Sequence, residues 1–405
     1  MRANQARRNG RRVMDPRQLA FSIIVTGSEP GKVEEMLLWN DLGMPPQNEL
    51  NTAVQEVCRR IIDMAQESMT LVREAIDRPV CISFDGSWEH RRNASRCLFT
   101  VIEQRTGRVM DSVVISRKVD KDDLTFCAVP NMMEAKGLSL LIPRLMQNPH
   151  IRAYVHDNDA KARKMIRQAG WEIEEYLDPG HCFKAFERKF QKFNSSHGGV
   201  LKDLEGSLQK WMRTVIKSNH SADEKARMWK DCVGHFLGDH RLCYHEPKAC
   251  KVWQYHDDER AVSALKEFLE KTQFIVRAVS PEFSTQTNES FHLLKLRYAT
   301  KDIKWGPTWH ARVMCAVLDR NCPFWKEILY YRMELPALSL ESLTKLRKDE
   351  EQRLARKRWV HSEEYIERQF WQRKVWRRAL KYCIRNVDPE QTGLAYKINP
   401  YHTTG

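Results

Sequence analysis

Three acids in this sequence stand where a carboxylate can do chemistry. Asp85 follows the apolar, β-branched run PVCISF and precedes Gly86, so it emerges at a strand terminus just before a turn. Asp157 follows a second such run, IRAYVH, at the head of Asp157-Asn158-Asp159, which leaves Asp159 as an alternative second acid. If the two strands are neighbours, their carboxylates converge. Oxygen ligands gathered without an enforced cysteine or imidazole suit Mg²⁺ or Mn²⁺. Two such ions can clamp an in-line phosphoryl displacement, one activating the attacking oxygen and the other stabilising the leaving oxygen. The third acid, Glu289, sits between Asn288 and Ser290 in STQTNESFHLLKLRYATK, at the start of a helix. Each acid alone has a plainer reading: a turn or helix-capping aspartate for Asp85 and Asp157, and a first-turn glutamate that favours the helix dipole for Glu289.

The elements that must position these acids follow from periodicity. Residues 31–76 carry apolar side chains at helical spacing (Val54, Val57, Cys58, Ile61, Ile62, Met64, Ala65, Met69), a helical lead-in. The pattern then switches to period two. Residues 79–84, 95–104 and 108–116 read as strands, the last two joined by a Thr106-Gly107 turn. Residues 135–147 read as a helix, 151–156 as a strand, 160–170 as a helix and 171–177 as a strand. This order predicts an α/β fold, a mixed five-stranded sheet with flanking helices. With acids after its first and fourth strands it resembles the ribonuclease H-like arrangement, which expects a third acid on a later helix facing the sheet. Glu289 fits that place. The interval from Asp157 to Glu289 is 132 residues (289 − 157), too long for a minimal sheet, so a mostly helical insertion should interrupt the fold. The expected organisation is a flexible basic arm (1–30), the helical lead-in (31–78), a catalytic domain (79–182 and 276–325), the insertion (183–275) and a basic helical C-terminal segment (326–405).

Composition narrows the class. With 42% hydrophobic and 9% aromatic residues the 405-residue chain can build a sizeable core. No run approaches a membrane span and the N-terminus has no apolar signal region, so an intracellular protein with no membrane partner is expected. Eleven scattered cysteines read as reduced thiols or metal ligands. A formal charge of +14 favours a polyanionic partner, nucleic acid first, because neutralised phosphates release counterions. In DCVGHFLGDHRLCYHEPKAC (231–250), His235, His240, Cys243 and Cys250 could hold a structural Zn²⁺, although a His-rich surface loop is an equal reading. Towards the C-terminus, Arg353, Arg356, Lys357, Arg358, Arg373, Lys374, Arg377 and Arg378 alternate with tryptophans; they could follow a phosphate backbone while the aromatics pack.

Several strings together resemble one known family. FDGSW (84–88), RTGRVMDSVV (105–114), VHDNDAKA (155–162), DPGH (178–181), TQTNESFHLLKLRYATK (285–301) and RVMCAV (312–317) occur in the order found in Mutator-like DDE transposases. The resemblance spans roughly residues 80–320 and is most specific at T-Q-x-N-E-S and at D-x-x-H. It implies a DNA transposase with Asp85, Asp157 and Glu289 as its catalytic acids, binding two Mg²⁺ or Mn²⁺ ions. Such an enzyme cleaves at the terminal repeats of its element and joins the freed 3′-hydroxyl to target DNA. His181 would stand beside the acids, contacting phosphate or moving a proton. The implied partner is double-stranded DNA, the implied state a homo-oligomer assembled on it, and the implied location the nucleus. His292 departs from the pattern, which has Asn there. A transposase-derived DNA-binding protein without catalysis and a ribonuclease H-like nuclease are the alternatives.

Overall fold

The computed structural model describes residues 7–8, 11–157, 159–218, 220–239, 256–280 and 283–360. The chain divides into two units, Met1–Leu335 and Pro336–Gly405. The first begins with a small sheet: β1 (Arg7–Arg8) runs antiparallel to β2 (Arg11–Val13), which pairs in parallel with β3 (Leu42–Gly43). Between β2 and β3 lie α1 (Pro16–Val25) and α2 (Pro30–Trp39). The long α3 (Gln47–Glu74) follows β3. Its buried Leu50, Ala53, Val57, Ile61, Met64, Ala65, Met69 and Val72 recur every three or four residues, one face of a helix turned to the core.

The central sheet contains β4 (Val80–Trp88), β5 (Arg96–Glu103), β6 (Val109–Ser116), β7 (Ile151–His156) and β8 (Glu174–Leu177) in the order β6-β5-β4-β7-β8. β4, β5 and β6 form an antiparallel meander, and β7 and β8 continue it parallel to β4. This is the mixed α/β sheet of a ribonuclease H-like fold. On one face α4 (Met133–Leu145) and α5 (Ala160–Gln168) cover a core of Ile82, Phe84, Phe99, Val101, Tyr154, Leu138, Leu141 and Ile166. The other elements touching the sheet are α3, α10 (Gln286–Lys295) and α11 (Trp309–Asn321). Between β8 and α10 stand α6 (Pro179–Ser196), α7 (Glu205–Lys217), α8 (Ala222–Phe236) and α9 (Glu259–Arg277). They enclose their own core around Phe186, Phe190, Met212, Trp229 and Phe268. Burial of such aromatics removes ~150–250 Å² each from water, which holds these four helices together.

Four sequence expectations shift. Residues 16–30 are no flexible arm: Asp15 caps α1 by accepting from the N–H groups of Arg17 and Gln18, each at 2.9 Å, and Leu19, Ala20, Ile23 and Ile24 are buried. The run LAFSIIV was masked by the arginines around it. β4 extends to Trp88 instead of ending at Phe84, because β5 pairs with it along that whole length. β8 begins at Glu174, after Trp171 and Ile173 have packed on the α4 side of the sheet. The C-terminal boundary moves from 326 to 336. α12 (Trp325–Arg332) buries Trp325 and Leu329, and Tyr330 Oη accepts from Gln18 Nε2 at 2.7 Å. In the second unit α13 (Leu340–Val360) is a polar helix carrying Arg353 and Arg356. Nothing is described of the side chains of Lys357 and Arg358, and Arg373, Lys374, Arg377 and Arg378 lie outside the described residues.

Candidate active site

The register of the two central parallel strands sets the site. Ser83 pairs with Val155, the last β4–β7 pair, so two residues further on Asp85 and Asp157 stand level with each other. Side chains alternate along a strand, which puts Asp85 on the face of Ser83 and Asp157 on the face of Val155. Asp85 therefore lies inside β4, still paired with Thr100 of β5, yet just past the point where β7 leaves the sheet.

α10 docks along this face in step with β4. The Ser83 hydroxyl donates to Asn288 Oδ1. His292 Nδ1 lies 3.5 Å from Asp85 Oδ2. Lys295 Nζ donates to Ser87 Oγ at 2.5 Å and to Trp88 O at 3.2 Å. Helix positions 288, 292 and 295, spaced four and three, thus meet strand positions 83, 85 and 87, spaced two and two. Seven helical residues rise ~10 Å and four strand residues ~13 Å, close enough for the two to stay in register. Glu289 adjoins Asn288 in the first turn, exposed, near enough for its charge to act on Asp85. From α11, Arg320 Nη2 donates to Ser290 Oγ at 3.2 Å and to Thr287 O at 3.3 Å, fixing the same turn.

Electrostatics single out Asp85. Burial, then the negative charges of Asp157, Glu134 and Glu289, push its carboxyl from 3.8 up to about 7, against the Gly86 N–H that donates to it at 2.7 Å. His292 is held neutral: burial, helped by Lys295 and Lys301, depresses it to about 3. Burial and Lys301 also lower Lys295 to about 8. The proton on Asp85 has a measurable consequence. Because its folded value exceeds the ordinary one, Asp85 stabilises the fold below about pH 4 and loses that contribution as pH rises through about 7. In chelator, wild-type melting temperature should fall between pH 5 and 8, by the equivalent of roughly 1–3 kcal/mol. Asp85→Asn should show a flatter profile in the same melts; a parallel fall would exclude Asp85 as the source.

The other predicted residues separate into groups. His181, at the start of α6, has Nδ1 3.0 Å from Asp178 Oδ2 and 3.2 Å from Asp157 Oδ1. The latter approach is off the hydrogen-bond line, and this buried Asp157 oxygen takes no hydrogen bond among the described residues. Asp159 is the N-cap of α5, accepting from Lys161 N–H at 2.8 Å, and its charge, like that of Asp157, bears on Glu134. His235 lies at the end of α8 with its ring 5.2 Å from that of Trp211, whereas His240, Cys243 and Cys250 lie outside the described residues.

One acid escaped the sequence reading. Glu134 opens α4, one residue before the predicted start of that helix, and its Oε1 accepts from Trp88 Nε1 at 2.9 Å. Burial raises its carboxyl. A Cβ on Gly86 would meet Glu134 Cγ at 2.3 Å, so glycine lets this side chain lie against the α4 face of the strand, where its charge bears on Asp85. A glycine in mid-strand was the available signal.

The charges of Asp157, Glu134 and Glu289 bear on Asp85, and Asp157 Oδ1 takes no hydrogen bond among the described residues, so this end of the sheet is short of positive charge. Among the described residues, the group whose ligand atoms lie within 4.8 Å of one another, and which could hold a cation, is Asp157, Asp178 and His181; Asp85 and Glu289 are not part of it. The sequence model of Mutator-like transposases matches residues 2–250, more than half of the chain. The chain belongs to the Mutator-like transposase family. The matched stretch includes Asp85, Glu134, Asp157, Asp178 and His181; Glu289 lies beyond it. No curated protein matches the chain. In this transposase no described helix is long and apolar enough to cross a membrane.

Proposed function

We propose that this Mutator-like transposase cleaves phosphodiester bonds at the ends of its element and joins the freed 3′-hydroxyl to target DNA, using Asp85, Asp157 and Glu289. The observation that supports this reading is the stepwise docking of α10 on β4, which sets Asn288 against Ser83 and Lys295 against Ser87 and leaves the charge of Glu289, 132 residues downstream of Asp157 (289 − 157), bearing on Asp85. Two Mg²⁺ or Mn²⁺ ions bound there would supply activation of the attacking oxygen and charge stabilisation of the leaving oxygen. The chain's own part is to hold and orient. Asp85 offers a carboxylate whose proton must leave before it can ligate. Asp157 offers an oxygen that takes no hydrogen bond among the described residues. Glu289, on the exposed first turn, can reach out from the sheet. His181 has Nδ1 committed to Asp178, which leaves Nε2 to contact a phosphate oxygen or pass a proton.

DNA binding, a nuclear location and assembly of a homo-oligomer on the DNA ends belong to the same proposal. The net charge of +14 supports a DNA partner. Structural Zn²⁺ at His235, His240, Cys243 and Cys250 is a further part of it, supported by their spacing alone. One observation favours a second reading, a DNA-binding protein that has lost catalysis: His292 sits against an oxygen of Asp85, where it could block a ligand position.

The test is incubation of the full chain with Mn²⁺ and a plasmid bearing the element's terminal repeats plus a target plasmid. Cut ends joined to the target are expected. Salt-sensitive binding without any cut would establish the second reading, and cut ends that never join would indicate a nuclease.

A further inference from the structure

Asp178 is only 4% exposed, and both its oxygens are occupied. Oδ1 accepts from the Thr285 N–H at 2.9 Å. Oδ2 accepts from the backbone N–H of His181 at 2.9 Å and lies 3.0 Å from its Nδ1. The backbone beside it is fixed as well: Asp178 N–H donates to His156 O at 3.0 Å, and Leu177 N–H to Ala278 O at 2.7 Å. One carboxylate therefore touches the end of β8, the first turn of α6 where the insertion begins, and the residue preceding α10 where the chain returns. Thr285 is 107 residues further along the sequence.

We propose that Asp178 is a clasp at the base of the insertion, a positioning residue that fixes the first turn of α10, and with it Glu289, while holding His181 over Asp157. This rests on the reading of Asp85, Asp157 and Glu289 as the cleavage acids. The physical need is specific. The first N–H groups of a helix have no partner within the helix. The Thr285 N–H, just ahead of that turn, takes its acceptor from the other end of a long excursion, so the insertion and the third acid move together or not at all.

A rival role is open to the same side chain. Ligand atoms of Asp157, Asp178 and His181 lie within 4.8 Å of one another, a spacing that could hold a cation. However, hydrogen bonds from His181 and Thr285, working against burial, keep Asp178 ionised below the usual carboxylate range. A cation on Oδ2 would have to displace the His181 donors, and that arm of the clasp would open.

Two variants cut the clasp from opposite sides. Asp178→Ser retains an oxygen able to cap α6 but is too short to span to Thr285 as well. Thr285→Pro deletes the donated N–H, and φ of −77° at that residue suits a proline ring. In the metal-free, DNA-free full chain, amide exchange across Gln286–Phe291 should quicken about 10-fold or more in both variants, with α3 unchanged. In cleavage assays the Mn²⁺ concentration giving half-maximal rate should rise about 10-fold in each variant. The double variant should be no worse than either single one, the non-additivity expected of one shared contact. Unchanged exchange in Asp178→Ser, additive losses, or a loss in Asp178→Ser that Thr285→Pro does not share would overturn the clasp. If the wild type cuts no DNA, the cleavage reading fails, yet the exchange measurement still decides whether the clasp exists.

Discussion

Glu289→Gln is expected to slow Mn²⁺-dependent cleavage of terminal-repeat DNA by roughly 10²–10³-fold, the range seen when one preorganised charge-stabilising group is removed. Its melting temperature should stay within about 2 °C of the wild type, because an exposed residue contributes little to folding and loses at most a favourable helix-dipole contact of ~0.3–1 kcal/mol. The swap preserves shape and hydrogen-bonding reach while removing only the charge. Asp85→Asn makes the informative companion. It should lose activity to a similar extent, yet in chelator above pH 7 it should melt higher than the wild type, since it removes a buried charge crowded by Asp157, Glu134 and Glu289. Opposite effects on activity and stability are the signature of a site whose charge repulsion is relieved only by a bound cation. Cleavage by Glu289→Gln within about 10-fold of the wild type would remove Glu289 from the mechanism.

The largest expected effect on stability lies away from the acids. Arg312 is fully buried, stacks its guanidinium 3.9 Å from the Trp305 ring, and donates to the backbone oxygens of Ser28 at 2.8 Å and Tyr298 at 3.2 Å and to Thr308 Oγ1 at 3.2 Å. It joins the turn after α1 to the segment after α10, where Gly27 also passes so close to Arg297 that a Cβ would meet the carbonyl oxygen at 2.1 Å. Arg312→Ala leaves those carbonyls buried without donors and a cavity where the side chain packed. A loss of about 3–5 kcal/mol in urea unfolding is expected, and Arg312→Lys should recover only part of it, because an ammonium cannot reproduce the planar fork. A loss below about 1 kcal/mol would mean that water replaces these bonds without difficulty.

Much of the architecture was legible from the chain. Period-two runs marked all five central strands, and the acids after two of them stood out because a charged residue following PVCISF or IRAYVH breaks a local pattern. The length between Asp157 and Glu289 announced the insertion. Boundaries were less legible. β4 reads as ending at Phe84 because Asp85 and Gly86 look like a turn, whereas cross-strand pairing with β5 carries it on to Trp88. α1 was hidden because its apolar stretch is short and flanked by arginines, and it becomes a helix by burying Leu19 and Ile24 within the fold.

The sequence by itself determined the order of strands and helices and the inventory of acids, since periodicity and residue type are local properties. Which residues meet was decided by tertiary structure. The pairing of Ser83 with Val155, the bond from Ser83 to Asn288 across 205 positions and the bond from Thr285 to Asp178 across 107 are choices of register and docking. Glu134 shows the same division. Its type was plain, but its place against β4 depends on Gly86, 48 positions away (134 − 86), and a glycine in mid-strand does not say which side chain will use the space it leaves.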